Sequence, residues 1–162
     1  MPMMDITIPA GALEPAAEQQ LLAQLTDVLL KEEGADPANP VARAIAWVFL
    51  HRPAVVYVGG APAEVPRYRV QVSVPEGQFD DERRSNMVAA VTKAILDAEN
   101  GKHKRDPNRV WVFASEVPDG TWGGGGRIAR LADVANLMIG DAEKARAYAQ
   151  KRIKASREAR AV

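Results

Sequence analysis

The sequence contains no cysteine, so disulfides, zinc-thiolate sites, iron–sulfur clusters and thiol nucleophiles are excluded together. It has no surplus charge either: 21 lysines and arginines balance 21 aspartates and glutamates. A nucleic-acid binder normally carries a basic excess that displaces counterions from phosphates, so no nucleic-acid partner is expected. No apolar run approaches the roughly 20 residues that span a bilayer, and the N-terminus lacks the basic flank and apolar block of a signal peptide. The expectation is a cytoplasmic protein with no membrane partner. Histidine is scarce, and neither His51 nor His103 has a second histidine or a carboxylate at ligand spacing, so no metal site is expected.

What is present fits one soluble unit. The chain has 162 residues, 47% hydrophobic and 26% charged, enough for a single domain with a sizeable core. A weak internal repeat organises it. Trp47-Val48-Phe49 is followed by Gly59-Gly60, and 64 residues later Trp111-Val112-Phe113 is followed by Gly123-Gly124. Near the start, Ile6, Ile8, Pro9 and Gly11 return as Val72, Val74, Pro75 and Gly77, offset by 66. Two Trp-Val-Phe tripeptides in a chain with only three tryptophans and three phenylalanines point to duplication. The repeats run over about 2–60 and 66–126.

Each half reads strand, helix, strand. Residues 3–8 favour a strand, Pro9 and Gly11 mark a turn, and Pro15 suits a first helical turn. Leu21, Leu22, Leu25, Val28 and Leu29 then form one apolar stripe, ended by Gly34, Pro37 and Pro40. Residues 44–50 are apolar on both alternating faces, which predicts a strand buried on both sides. In the second half, Tyr68, Val70, Val72 and Val74 alternate with polar residues, Asp80 and Asp81 suit a helix start, and Val110–Ala114 predicts another buried strand. Right-handed crossovers then give a four-stranded sheet with two helices on one face. The bare face of such a sheet calls for oligomerisation. The first 140 residues are expected to form the domain, with 141–162 a C-terminal helical extension whose charges make a solvated face.

The N-terminus carries the sharpest chemical signal. Met1 is ordinarily removed when a small residue such as Pro2 follows, leaving a free secondary amine at the head of a sheet strand. Partial desolvation and nearby cations lower an amine's pKa towards neutrality, where it serves as a general base or as a nucleophile toward carbonyl carbon. A catalytic Pro2 follows as a candidate. Gly123–Gly126 is not a phosphate loop, because no Gly-Lys-Ser/Thr follows and no dinucleotide fingerprint precedes a helix.

Met1-Pro2, the doubled strand–helix–strand order, Pro75-Glu76-Gly77 and the run Val110–Gly124 together resemble the tautomerase superfamily over roughly residues 2–126. The fused arrangement and the stretch from Ala46 through Tyr57-Val58-Gly59-Gly60 look most like its cis-3-chloroacrylate dehalogenase branch. The resemblance implies an α+β fold of the duplicated β-α-β, MIF-like kind: a four-stranded mixed sheet, two helices on one face, and added C-terminal helices. It also implies a homotrimer and a cofactor-free isomerase acting on a small enol, keto or unsaturated carboxylate. The family's helper residues are mostly replaced. Ala12 and Gln78 stand where short tautomerases carry an arginine, Leu29 aligns with a histidine of the dehalogenase branch, Phe113 with its catalytic tyrosine, and Trp111 with a second-strand arginine. Arg43, Arg52, Arg67, Arg69 and Arg127 are the candidates for replacement cations, with a solvated charge as the alternative for each. Arg127, beyond Trp122 and the glycine loop, is the preferred carboxylate binder, with Trp122, Arg69 and Phe113 as further substrate-binding candidates. Two alternatives remain open: a diverged, non-catalytic protein of this fold, and a hydratase, dehalogenase or decarboxylase of a small unsaturated acid.

Overall fold

The computed structural model describes residues 2–161. In chain order the elements are β1 (Met3–Thr7), α1 (Pro15–Glu33), α2 (Pro40–Ile45), β2 (Trp47–His51), β3 (Tyr57–Val58), β4 (Ala61–Pro62), β5 (Tyr68–Pro75), α3 (Asp81–Ala98), a 3-10 turn (Pro107–Arg109), β6 (Val110–Val117), β7 (Trp122–Gly124), β8 (Arg127–Ala129), α4 (Leu131–Ile139) and α5 (Ala142–Arg160).

Four strands form the main sheet in the order β2-β1-β5-β6. The β1–β2 and β5–β6 pairs are parallel and the central β1–β5 pair is antiparallel, so two β-α-β units meet at their first strands. The register reproduces the internal repeat: Met3 lies opposite Trp47 in the first unit, and Arg69 lies opposite Trp111 in the second. These positions are related by the offsets of 66 and 64 that the sequence shows. The expected four-stranded mixed sheet is therefore present, and α1 and α3 cover one of its faces.

Local chemistry accounts for the helices. Pro15 opens α1, where its missing N–H costs nothing, and Gly34 closes it in the left-handed conformation. The Asp80 carboxylate accepts from the backbone N–H of Arg83 and caps α3. Leu21, Leu25 and Leu29 from α1 and Met87, Val91 and Ile95 from α3 pack on Met4, Ile6, Val70, Val72 and Val74 of the central strands. Each of these core side chains is essentially removed from water, contributing about 1.5–3 kcal/mol of transfer free energy before entropy is counted.

Two expectations need correction. The segments read as strands buried on both sides are the sheet's edge strands, with burial on one face only. Residues 44 and 45 belong to α2, and β2 begins at Trp47. On the helix-free face Trp47 is 61% and Trp111 67% exposed, with Phe49 and Phe113 beside them. Apolar residues on both sides of a strand normally mean two covered faces, but here the second cover is not supplied by the same chain.

The C-terminal helix is the second correction. It is not a merely solvated face, since α5 clamps the turn between β5 and α3. The Glu76 carboxylate accepts from Arg157 Nε at 2.9 Å and from the Asp119 backbone N–H at 2.9 Å. Glu116 accepts from the backbone N–H groups of Gly77 and Phe79, from Ser156, and from Arg160. Arg157 and the Asp119 amide hold the Glu76 carboxyl below the usual carboxylate range against the opposing effect of burial. The approach is close enough that a Cβ on Gly77, whose φ is +91°, would stand 2.8 Å from the Arg152 carbonyl carbon. In sequence these arginines are indistinguishable from solvated ones, because the acidic partners of Arg160 and Arg157 lie 44 and 81 residues away.

One buried carboxyl sets a pH dependence. Glu33, at the end of α1, is 3% exposed, and burial raises it to about 8 despite the pull of the Arg83 guanidinium. The folded protein thus keeps a proton that the unfolded chain releases near 4.5. Between those values stability falls as pH rises, by about 1.4 kcal/mol per pH unit at most. Urea unfolding of wild type is therefore expected to show stability dropping by a few kcal/mol from about pH 5 to about pH 8. Glu33→Gln should flatten that slope; parallel wild-type and variant curves would remove Glu33 as its cause.

Candidate active site

Pro2 is buried at the head of β1, and its carbonyl accepts from the backbone N–H of Trp47 at 3.3 Å, which extends the β1–β2 ladder by one residue. It forms part of the wall of a cavity of about 550 Å³. The opposite wall is the β7–β8 hairpin, carrying Trp122, Gly123, Gly124, Arg127 and Ala129. The hairpin is tight: a Cβ on Gly123 would stand 2.5 Å from the Arg127 carbonyl oxygen, so only glycine fits there. Ala44 and Ile45 of α2 and Val134 and Leu137 of α4 complete a largely apolar lining.

Two charges line this cavity, Arg127 and Asp133. Asp133 is occupied locally, its Oδ2 accepting from the Arg130 backbone N–H at 2.8 Å as part of the α4 cap. Arg127 has no ion-pair or hydrogen-bond partner among the described residues, which leaves its guanidinium available to an anion. The Trp122 indole Nε1 is buried and has no acceptor among the described residues. No group of three His, Asp or Glu side chains among the described residues stands close enough to hold a metal ion.

Of the sequence candidates, Pro2, Trp122 and Arg127 come together here. The removal of Met1 concerns a residue outside the described ones. Arg69 and Phe113 lie elsewhere, on the helix-free face, where the Arg69 guanidinium sits 5.6 Å from the centre of the Phe113 ring. The other replacement cations also lie away from the cavity. Arg43 pairs with Asp27 at 2.5 Å, and Arg52 makes a two-bond pair with Glu18. Arg67 has one buried guanidinium nitrogen with no partner among the described residues. Ala44, Ile45, Val134, Leu137 and Asp133 escaped the sequence reading as wall residues. The first two read as strand, and no spacing rule links α2 to α4.

A sequence model of the tautomerase enzyme family matches residues 69–131, which span β5 through the first residue of α4. Together with the paired β-α-β units this decides the fold. The protein has the tautomerase-superfamily fold. Solved structures similar to this tautomerase-fold chain bear it out. Pt0534 inactivated by 2-oxo-3-pentynoate is 22% identical, with 78% of this chain and 94% of that one covered and a TM-score of 0.64. A symmetric trimer of wild-type fused 4-OT is also 22% identical, covering 79% and 95%, with a TM-score of 0.64. A member of the cis-3-chloroacrylic acid dehalogenase family is 16% identical, covering 78% and 82%, with a TM-score of 0.63. No curated protein matches the sequence significantly. No helix among the described residues is long and apolar enough to cross a membrane.

Proposed function

We propose that this protein is a cofactor-free tautomerase-like enzyme in which Pro2 moves a proton within a small enol, keto or unsaturated carboxylate. The observation that carries the reading is the meeting of Pro2 and Arg127 on the wall of one largely apolar cavity. With Met1 removed, the proline nitrogen is a secondary amine on the wall of a largely apolar cavity. Burial disfavours its charged form and keeps it basic near neutral pH.

For a 2-hydroxydienoate, the amine takes the hydroxyl proton as the C2–O bond gains carbonyl character. The electron pair moves out along the conjugated chain, and the same proton is returned to carbon. Arg127 holds the carboxylate, and its charge offsets the negative charge that develops on the dienolate. Trp122 and the aliphatic side chains exclude water and fix the plane of the ligand.

A homotrimer belongs to the same proposal. Trp47, Phe49, Trp111 and Phe113 leave an apolar surface on the helix-free face that a second copy would bury, and a fused 4-OT of similar fold is a symmetric trimer.

The reading is tested by intact mass followed by 2-oxo-3-pentynoate, the compound that inactivates Pt0534. The protein is expected to weigh one methionine less than the full sequence. Conjugate addition of a free amine to the alkynone should add one equivalent of reagent to the N-terminal peptide. A retained Met1, whose amide bond removes the basic nitrogen, or an adduct placed elsewhere would end the Pro2 assignment.

A further inference from the structure

All but the first residue of α4, and the whole of α5, lie beyond the stretch matched by the family model, whose last residue is Leu131. The segment nevertheless reaches the Pro2 cavity. Leu131, Val134 and Ala135 of α4 are buried where the helix packs on α2 and α5. One flank of α4 presents Asp133, Val134 and Leu137 to the cavity. Residues three and four apart share a helix face, so Leu137 stands beside both Asp133 and Val134. Leu137 is 57% exposed, an aliphatic wall left largely uncovered by the chain's own side chains.

This wall is fixed in place. Asp119 Oδ1 accepts from the Leu131 backbone N–H at 2.8 Å, and its Oδ2 accepts from Arg130 Nη1 at 2.9 Å. The Asp119 N–H donates in turn to Glu76, the carboxylate that Arg157 of α5 also grips. The first turn of α4 is thereby tied to the β6–β7 turn, and α5 to the β5–α3 turn.

Charge on the lining is sparse. Among the described residues, Arg127 is its cation, without a protein partner, and Asp133 is its anion. One ligand carboxylate can therefore be paired. A second carboxylate on the same ligand would find no cation, would lose water against Ile45, Val134 and Leu137, and would meet the field of Asp133. An apolar group in the same place would be buried against those three side chains. Met3 and Trp47, which also line the cavity, belong to the helix-free face that a second copy would bury. The residues of α2, α4 and the β7–β8 hairpin are not part of that sheet.

We propose that α4 is the specificity element of the Pro2 cavity and selects a monocarboxylate with an apolar, aryl-sized tail against a dicarboxylate. Arg127 takes the carboxylate, Ile45, Val134 and Leu137 take the tail, and Asp133 turns away a second negative charge. This selection rests on the cavity being the substrate site proposed above, whether or not Pro2 is its base.

Three saturated acids that no proton transfer can consume test it: pentanoate, 5-phenylpentanoate and hexanedioate. Each is titrated into the full-length protein at fixed ionic strength and followed by backbone amide shifts. 5-Phenylpentanoate is expected to bind about tenfold more tightly than pentanoate and about tenfold more tightly than hexanedioate, with saturable shifts at Arg127, Val134 and Leu137. Leu137→Gln exchanges an exposed side chain for another good helix former. It should weaken the phenyl acid by about fivefold and shrink its lead over pentanoate. Asp133→Asn, which keeps an oxygen to accept from Arg130, should improve hexanedioate by about threefold relative to the phenyl acid. The proposal is overturned if the dicarboxylate or the short acid binds as tightly as the phenyl acid, if no saturable shifts arise, or if either variant keeps the wild-type affinity ratios. Failure of the catalytic reading looks different: the alkynone adduct is then misplaced or missing while the three affinities keep their order.

Discussion

Pro2→Ala is expected to slow ketonisation of a 2-hydroxydienoate acid by a factor on the order of 10²–10⁴, the usual contribution of a positioned general base. Alanine is small enough for Met1 still to be removed, so the variant keeps a free amino terminus. It exchanges a secondary amine on a rigid ring for a primary one on a freely rotating residue. The pyrrolidine holds its nitrogen at one place on the cavity wall, fixed by the single ladder bond from Trp47 to the Pro2 carbonyl. Without the ring, basicity persists but its placement does not, and orientation is the larger part of what an enclosed base supplies. Because the backbone bond is retained, the thermal midpoint should move little, which separates lost chemistry from lost structure. Initial rates for wild type and variant across the pH range settle the matter. Equal rates, or a variant that melts as the activity disappears, would remove Pro2 from the mechanism. A product containing an added water, or one lacking carbon dioxide, would instead favour the hydratase or decarboxylase alternative.

The architecture was legible in the sequence because it is written twice. A helix stripe such as Leu21, Leu25 and Leu29, flanked by Pro15 and Gly34, states its period and its ends locally, and the paired Trp-Val-Phe segments state which strands correspond. Pro2 stood out as a candidate for a different reason, since the chemistry of a chain terminus needs no neighbours. Features that depend on long-range geometry were hidden. Position in the sheet is one: Trp47 and Trp111 look like core residues until the strand order places both on edges. The cavity is another. Arg127 lies within it whereas Arg69 does not, a difference set by the β7–β8 hairpin folding back over the head of β1 and carried by no local pattern. The partners of α5 are a third, because Glu76 and Glu116 become anchors for Arg157 and Arg160 only when the helix returns across the β5–α3 turn.

The same blindness covers the interaction whose loss should cost the most stability. Arg109 and Glu99 are each 2% exposed and form a two-bond pair with both oxygens at 2.5 Å, while the Tyr68 hydroxyl donates to the same carboxylate at 2.9 Å. Arg109 also donates to the carbonyls of Pro66 and Lys104 at 3.2 Å. One guanidinium thus ties the end of α3, the entry to β5 and the turn into β6. Burial alone would push the Glu99 carboxyl up, yet the hydrogen bonds from Arg109 and Tyr68 outweigh it and hold Glu99 below its ordinary range, so it stays ionised at neutral pH. This stabilisation is present above the unfolded-state value and is lost as acid protonates the group. Arg109→Met would leave that charge in a dry site with one neutral donor. The expected cost is about 3–5 kcal/mol, or roughly 10 °C in thermal midpoint for a chain of this size. Replacing both partners by apolar residues, Arg109→Met with Glu99→Leu, should recover most of the loss, because the penalty comes from an orphaned charge more than from the pair's net contribution. If the single variant melts within about 2 °C of wild type, water reaches Glu99 in solution. If the double variant is no more stable than the single one, the network matters for the carbonyls it gathers, and the three chain segments that meet at Arg109 require those bonds for their packing.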